Sequence, residues 1–290
     1  MSSLRLFSRG VIGDVWRHVR TSAMFWIAVF IVGGVSFVAL FPSFFTDVDP
    51  HYCTLKNSFA DPRSGHIFGF DRQGCDVFAR TVYGAHTSLF VGVMTTLVSV
   101  VSGTIVGVYA GYRGGFIDSL LSRITDIFFS IPFILAAIVM MQLFKFDRTQ
   151  WLVVMVISTF AWPTVARIVR SAVLEVKQEE YIRAAVCMGQ NSLTIIIRHI
   201  LPNIFGSIVT YAATSLGVYI MAEATLSFLG IGLPPDMISW GSDISSARSA
   251  LRQAPSVLFF PSGMLALTVL GFMMLGDVLR NAFNVKTRSE

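Results

Sequence analysis

The chain is poor in charge. Only 13% of its 290 residues are Asp, Glu, Lys or Arg, against about 25% in a soluble domain that must keep its surface wet. A hydrophobic share of 54% and a mean hydropathy of +0.67 say the same: much of the surface faces something other than water. Lysine is scarcer still. None of Lys56, Lys145, Lys177 and Lys286 follows a glycine, which excludes a G-x-x-x-x-G-K-[ST] phosphate loop and ATP binding of that kind. The histidines are His18, His51, His66, His86 and His199. They form neither H-E-x-x-H nor H-x-x-x-H, spacings that set two imidazoles on one helix face for zinc. The cysteines Cys53, Cys75 and Cys187 include no C-x-x-C, which argues against a zinc or iron–sulfur site. No serine has glycine at both −2 and +2, so the nucleophile elbow of a hydrolase is missing. No catalytic or metal-binding constellation remains.

A formal charge of +5 and a pI near 9.3 would suit nucleic acid if the basic residues formed a stripe. They flank apolar runs instead, the pattern of orientation in a membrane, so lipid is the expected partner and nucleic acid is not. The first apolar run begins near Thr21. It is too long for a signal-peptide core and lacks a small-residue cleavage site, so it is expected to stay in the mature chain.

About 20 apolar residues cross about 30 Å of hydrocarbon as a helix, and helix is required because lipid offers the backbone no hydrogen bonds. Six segments meet or approach that length: 21–41, 88–112, 127–144, 150–169, 203–230 and 256–279. Pro132 near the start of the third and Pro163 near the end of the fourth predict kinks. The expected class is all-α, a polytopic membrane protein of about six transmembrane helices. With the N-terminus inside, fourteen Lys and Arg lie on the inner side and eight on the outer. Arg5, Arg9, Arg17 and Arg20 lead the inner set, and Arg280, Lys286 and Arg288 end it, so both termini are expected in the cytoplasm. Longer connections fall at 42–87 and 231–255 outside, and at 170–202 inside.

Three constellations stand out. Thr95, Ser99, Gly103, Gly107 and Gly111 repeat every four residues, a small-residue stripe along which another helix can approach to backbone contact. Glu223 is a carboxylate well inside an apolar segment, expensive in lipid and often functional. A hydrogen-bonding or gating role fits it better than direct contact with a transported solute, and a proton relay would need charged partners. In the inner loop, Tyr181, Ala184, Ala185 and Met188 fall at i, i+3, i+4 and i+7, one face of a short helix. Gly189 is placed to end that helix, and Ser192 to cap another beginning at Leu193. A shallow alanine face held outside the membrane suits docking into a partner's groove.

At this point the sequence resembles a known family. Ala184-Ala185-x-x-x-Gly189, then His199-x-Leu201-Pro202 after nine residues, is similar to the E-A-A-x-x-x-G-x9-I-x-L-P loop of ABC-importer permeases. Arg183 stands in place of the glutamate and His199 in place of the isoleucine. Other stretches resemble the C-type permease of dipeptide and oligopeptide importers. They are His66-Ile-Phe-Gly-Phe-Asp-Arg-Gln-Gly-Cys-Asp76, Tyr83-Gly-Ala-His-Thr-Ser-Leu89, Ala222-Glu-Ala-Thr-Leu-Ser-Phe-Leu-Gly230, Ser239-Trp-Gly241 and Leu275-Gly-Asp-Val-Leu-Arg280. Asn281 and Asn284 depart from the usual aspartates of the tail.

The resemblance implies a type I ABC importer permease fold in a bacterial inner membrane. It divides the chain into 1–83 (leader, first helix and outer loop), a permease core at 84–281 with its coupling loop at 170–202, and a tail at 282–290. It implies a second permease subunit, cytoplasmic ABC ATPases holding ATP and magnesium, and an extracytoplasmic peptide-binding protein, with no cofactor in this chain. Coupling to the ATPase would run through 176–203, with Tyr181, Arg183, Ala184, Ala185, Met188, Gly189, Leu201 and Pro202 as the residues concerned. Peptide length and side-chain preference stay open, as does a nickel or other small-solute substrate. The rival readings are an ion- or proton-coupled secondary carrier using Glu223, which would need midplane charges and inverted repeats, and a scaffold subunit without a pathway. Cys75 occupies a position where the family usually has arginine. It shares the outer loop with Cys53, and that side is oxidising in many bacteria, so the two are expected to form a disulfide.

Overall fold

The structure is a computed structural model that describes residues 19–146 and 148–284. Arg5, Arg9, Arg17, Lys286 and Arg288, which carry part of the orientation argument, lie outside the described residues. The helices are α1 (Ala23–Leu40), α2 (Val77–Arg113), α3 (Gly115–Ser130), α4 (Phe133–Leu143), α5 (Gln150–Val176), α6 (Glu180–Cys187), α7 (Ser192–Phe228), α8 (Trp240–Ala247) and α9 (Ser256–Asn284). Of these α1, α2, α5, α7 and α9 are each long and apolar enough to cross a membrane, and α3 with α4 makes a sixth crossing if the pair counts as one.

Helix α2 starts eleven residues before the expected 88, because Arg80, Tyr83 and His86 hide its first turns from a hydropathy reading. Asp76 fixes the true start: its side chain accepts the Ala79 N–H at 2.6 Å, an N-cap that satisfies an otherwise orphaned donor. At the other end Gly114, with φ of +69°, turns the chain into α3. The expected kinked span at 127–144 is two helices meeting at 85°. Pro132 has no N–H to continue α3, and Ile131 before it is extended, as residues before proline prefer. Residues 115–126 of α3 read as loop in the sequence because of their polar side chains. Those residues pair with α5: Asp118 with Arg170, and Asp126 with Arg167 at 3.0 Å. Helix α5 continues as helix through Pro163 and ends at Val176, seven residues past the expected 169.

Helices α2 and α5 lie backbone against backbone along the stripe. A Cβ added at Gly103 would come within 2.4 Å of the Val165 Cβ, and one at Gly107 within 2.5 Å of the Ala166 carbonyl oxygen. At Gly111 it would meet the Arg170 carbonyl oxygen at 3.0 Å. Thr95 and Ser99 are fully buried on the same line. Beyond this seam, Val91, Met141, Val153, Ile157 and Leu226 form one apolar cluster, and Val35 of α1 and Phe272 of α9 pack in another with Ile220 of α7.

Gly107→Ala should therefore lower stability by about 1–3 kcal/mol, the usual penalty of overpacking, because the methyl collides with main chain. Gly33→Ala, with nothing within 4 Å of the added carbon, should leave it unchanged. Thermal unfolding of the two variants in one detergent checks the difference.

Candidate functional site

Three local structures hold the residues singled out in the sequence. The first is α6, carried between the ends of α5 and α7. Its apolar side is not the expected one. Ile182 and Ala185 are 2% and 1% exposed and pack with Val169, Val173, Ile195, Ile200 and Ile204. Tyr181 and Met188 are 44% and 70% exposed and turn away from the bundle, as do Arg183 and Ala184. The face read as Tyr181, Ala184, Ala185 and Met188 is therefore split. Ala185 anchors the helix to its own chain, and the other three form an outward surface. The reason is the three-residue step: Ile182 and Ala185 share a side once Val173 and Ile195 are present to receive them.

The end of α6 is a Schellman turn. Gly189, at φ +76°, donates its N–H to the Val186 carbonyl at 2.9 Å, and Gln190 donates to Ala185 at 3.2 Å. The next helix is capped by Asn191, whose side chain accepts the Thr194 N–H at 2.7 Å; Ser192, the expected cap, is already the first helical residue. Residues Ile196–Ile200 widen into a π-helical turn. Pro202 accounts for it, since it has no N–H for the Arg198 carbonyl and its ring crowds that oxygen. Leu201 is half-buried and Pro202 exposed, both inside α7. His199 Nε2 lies 3.3 Å from Gln190 Oε1, tying this turn back to the end of α6. Lys177, just before α6, donates to the Tyr112 carbonyl at the end of α2 at 2.7 Å. The loop is thus fixed to α2, α5 and α7 together.

The second structure surrounds Glu223, which is fully buried. Ser88 of α2 donates to Oε2 at 3.2 Å, and Ser227, one turn along α7, donates to Oε1 at 2.8 Å. Ser88 also accepts the Trp240 N–H at 3.3 Å, while the Trp240 indole donates to the Thr81 carbonyl at 2.9 Å. Gly241 lets α8 sit on α7, where an added Cβ would lie 2.6 Å from the Ala224 Cα. Glu223 is the centre of a polar cross-link among α2, α7 and α8. The groups bonded to its carboxyl are hydroxyls.

The third is the 41–76 connection. A disulfide joins Cys53 to Cys75 with Cα atoms 4.1 Å apart, closing a ring that the chain-entropy account credits with about 3 kcal/mol. Asp76 accepts from His66 at 2.5 Å as well as capping α2, and Arg80 places Nε and Nη2 on one oxygen of Asp243 at 2.9 and 2.5 Å. The loop is thereby bonded to α2, and α2 to α8.

Residues 103–289 match the family model described as the binding-protein-dependent transport system inner membrane component. The chain is 34% identical to the oligopeptide transport system permease protein OppC of Bacillus subtilis over 275 residues, covering 95% of this chain and 90% of that protein. The chain belongs to this family of inner-membrane transport permeases. It is also 41% identical to the glutathione transport system permease protein GsiD of Pectobacterium atrosepticum over 79% of this chain and 75% of that protein. With the dipeptide transport system permease protein DppC of Alkalihalophilus pseudofirmus it shares 34% over 95% of this chain and 90% of that protein. A solved structure of the MetNI methionine ABC transporter in inward-facing conformations aligns with a TM-score of 0.49 and 21% identity, covering 67% of this chain and 94% of that one.

Within this permease family, reasoning from sequence missed Ile182, Asn191 and the Arg80–Asp243 pair. Ile182 was legible as an apolar residue three before Ala185, and Asn191 as a side chain three before Thr194. Arg80 and Asp243 are 163 residues apart, and nothing local links them.

Two expectations follow. Ala185→Glu should strip the permease of folded protein, because a buried charge has no partner there, whereas Met188→Glu should leave the melting temperature unchanged. Glu223→Leu should cost about 1–3 kcal/mol by orphaning Ser88 and Ser227. Glu223→Gln, which keeps an acceptor, should cost less than half of that. Yield and thermal melting of purified variants measure both.

Proposed function

We propose that this permease is one of two membrane subunits of an ATP-driven importer of short peptides, with both termini on the cytoplasmic side. Peptide as the cargo is supported by the relatives, which are named for oligopeptide, dipeptide and glutathione transport. An extracytoplasmic binding protein delivers the peptide near the 41–76 loop, and a second permease chain supplies the other wall of the pathway. ATP and magnesium belong to separate cytoplasmic ATPase subunits.

One observation carries the coupling: α6 is bolted to α5 and α7 by Ile182 and Ala185 while Tyr181, Ala184 and Met188 face outward. A helix docked in an ATPase groove on one side and packed into the bundle on the other passes movement between them as a rigid body. Closure of the ATPases on ATP then tilts α5 and α7 and switches the side on which the cavity opens, an alternating-access motion of packed elements. Arg183 lies on the exposed side, positioned to meet the ATPase where many relatives have glutamate. The carrier reading gains nothing from Glu223, whose carboxyl group is enclosed by serine hydroxyls.

Tyr181→Ala with Met188→Glu should abolish co-purification of the ATPase subunits and reduce ATP-dependent peptide uptake in proteoliposomes at least tenfold, with the permease still inserted and folded. Retained ATPase association and uptake in that double variant would count against docking through α6.

A further inference from the structure

A second site lies at the opposite end of the bundle from α6. The disulfide-closed loop, the first turns of α2, helix α8 and the start of α9 enclose a cavity of 440 Å³. That volume falls within the range of about 300–1,000 Å³ typical of small-molecule sites. Its polar lining sets the guanidiniums of Arg72 and Arg80 and the Gln73 amide beside two carboxylates and several hydroxyls. Thr81 gives its hydroxyl proton to the Val77 carbonyl at 2.7 Å, Ser245 to Phe228 at 2.8 Å, and Ser246 to Ser242 at 3.0 Å. A hydroxyl so committed offers an incoming group lone pairs only. Asp243 lines the same cavity and is 8% exposed. Arg80 occupies its Oδ1, while Oδ2 is covered and has no hydrogen-bond partner among the described residues. Asp71 joins it on the lining, with its own Oδ1 taken by the Gln73 and Cys75 N–H groups at 2.8 and 2.9 Å. Leu55, Val77, Val257 and Pro261 make the remaining wall apolar.

We propose that this cavity binds the free N-terminal ammonium of a short peptide, with Asp243 as its counter-ion and the apolar wall against the first side chains. An ammonium has three donors and no acceptor, the complement of those hydroxyls and of Asp243. With the Asp243 side chain turned so that its second oxygen meets the cavity while the first keeps Arg80, that oxygen gains a charge-assisted bond from the ammonium. A bare inorganic cation would leave the apolar wall and most of the volume unused. Arg72, exposed at the rim with Nη1 3.4 Å from Ser249, is placed to meet a peptide carbonyl or carboxylate. The chemistry of the lining stands alone, but the choice of a peptide as the amine's carrier rests on the proposed peptide import. In effect this is a waiting site beside the pathway.

The site carries its own pH signature. Burial pushes the Asp243 carboxyl up to about 6, against the pull of Arg80 and with Asp71 adding to the rise. The charged groups facing it are Asp71 and Arg72 of the loop and Arg80 of α2; the α9 residues on the lining carry no charge. Asp243 is therefore a carboxylate at pH 7 and neutral at pH 5, while a peptide amine, with a pKa of about 8, stays protonated throughout. Binding should weaken about tenfold from pH 7 to pH 5.

The test is equilibrium binding of radiolabelled trialanine to the purified permease–ATPase complex in nanodiscs, without the binding protein. Trialanine should bind, N-acetyl-trialanine should bind at least tenfold more weakly, and Asp243→Asn should remove both the preference and the pH slope. Should Asp243→Asn not fold, Ser249→Trp, an exposed change at the mouth, should block binding instead. Equal binding of the two peptides overturns the proposal, as does no binding, a pH slope that survives in Asp243→Asn, or occupancy by sodium alone. So does capture of a lysine from the purified binding protein in place of trialanine. ATP-dependent uptake by the full system separates the two levels: uptake without cavity binding sinks this inference alone, whereas absence of any peptide uptake sinks the import reading.

Discussion

Lipid tails are as apolar as leucine, so nothing resembling the hydrophobic effect pushes two membrane helices together. Association has to come from close contact, and in this permease that contact is the seam between α2 and α5. Glycine at 103, 107 and 111 removes the side chains that would hold the two backbones apart, and the Trp162, Ala166 and Arg170 carbonyls lie where those side chains would be. The seam extends to the end of α2, where Lys177 holds the Tyr112 carbonyl. Because α6 packs on the end of α5, a displacement of α6 would be passed to the helix pair at the centre of the bundle.

Polar bonds then add what apolar packing cannot, a unique arrangement at the other end. Glu223, Ser88, Ser227 and Trp240 fix α8 across α2 and α7, and Arg80 with Asp243 repeats that link nearer the outer loop. An unsatisfied polar group in a low-dielectric interior is expensive, so such a network has few alternative solutions. The structure therefore has α6 packed on the ends of α5 and α7 at one end and a polar-braced α8 at the other.

Much of this was legible in the sequence. Apolar runs located the spans, the four-residue repeat of small residues marked the seam, and the alanines before Gly189 marked the short helix α6. What escaped has physical causes. Hydropathy averages over a window, so it missed the polar first turns of α2 and the amphipathic α3, whose Asp118 and Asp126 are matched by arginines on α5. Periodicity gives a helix face but not what packs on it, which is why Ala185 was placed with Tyr181 and Met188. Glu223 was visible as a costly residue, but its hydroxyl partners come from segments 135 residues away and from one turn along its own helix. Only the fold brings the first of these to it.

In the proposed coupling, the exposed side of α6 is the surface through which ATP hydrolysis reaches the bundle. A photo-crosslinking residue placed at Met188 in the assembled transporter tests it most directly, with Phe30, exposed on α1, as the control. The account predicts that Met188 captures an ATPase subunit in high yield, that the yield changes between nucleotide-free and ATP-bound states, and that Phe30 captures lipid alone. Crosslinking of Met188 to lipid or to nothing, in a complex that still imports its cargo, would contradict it.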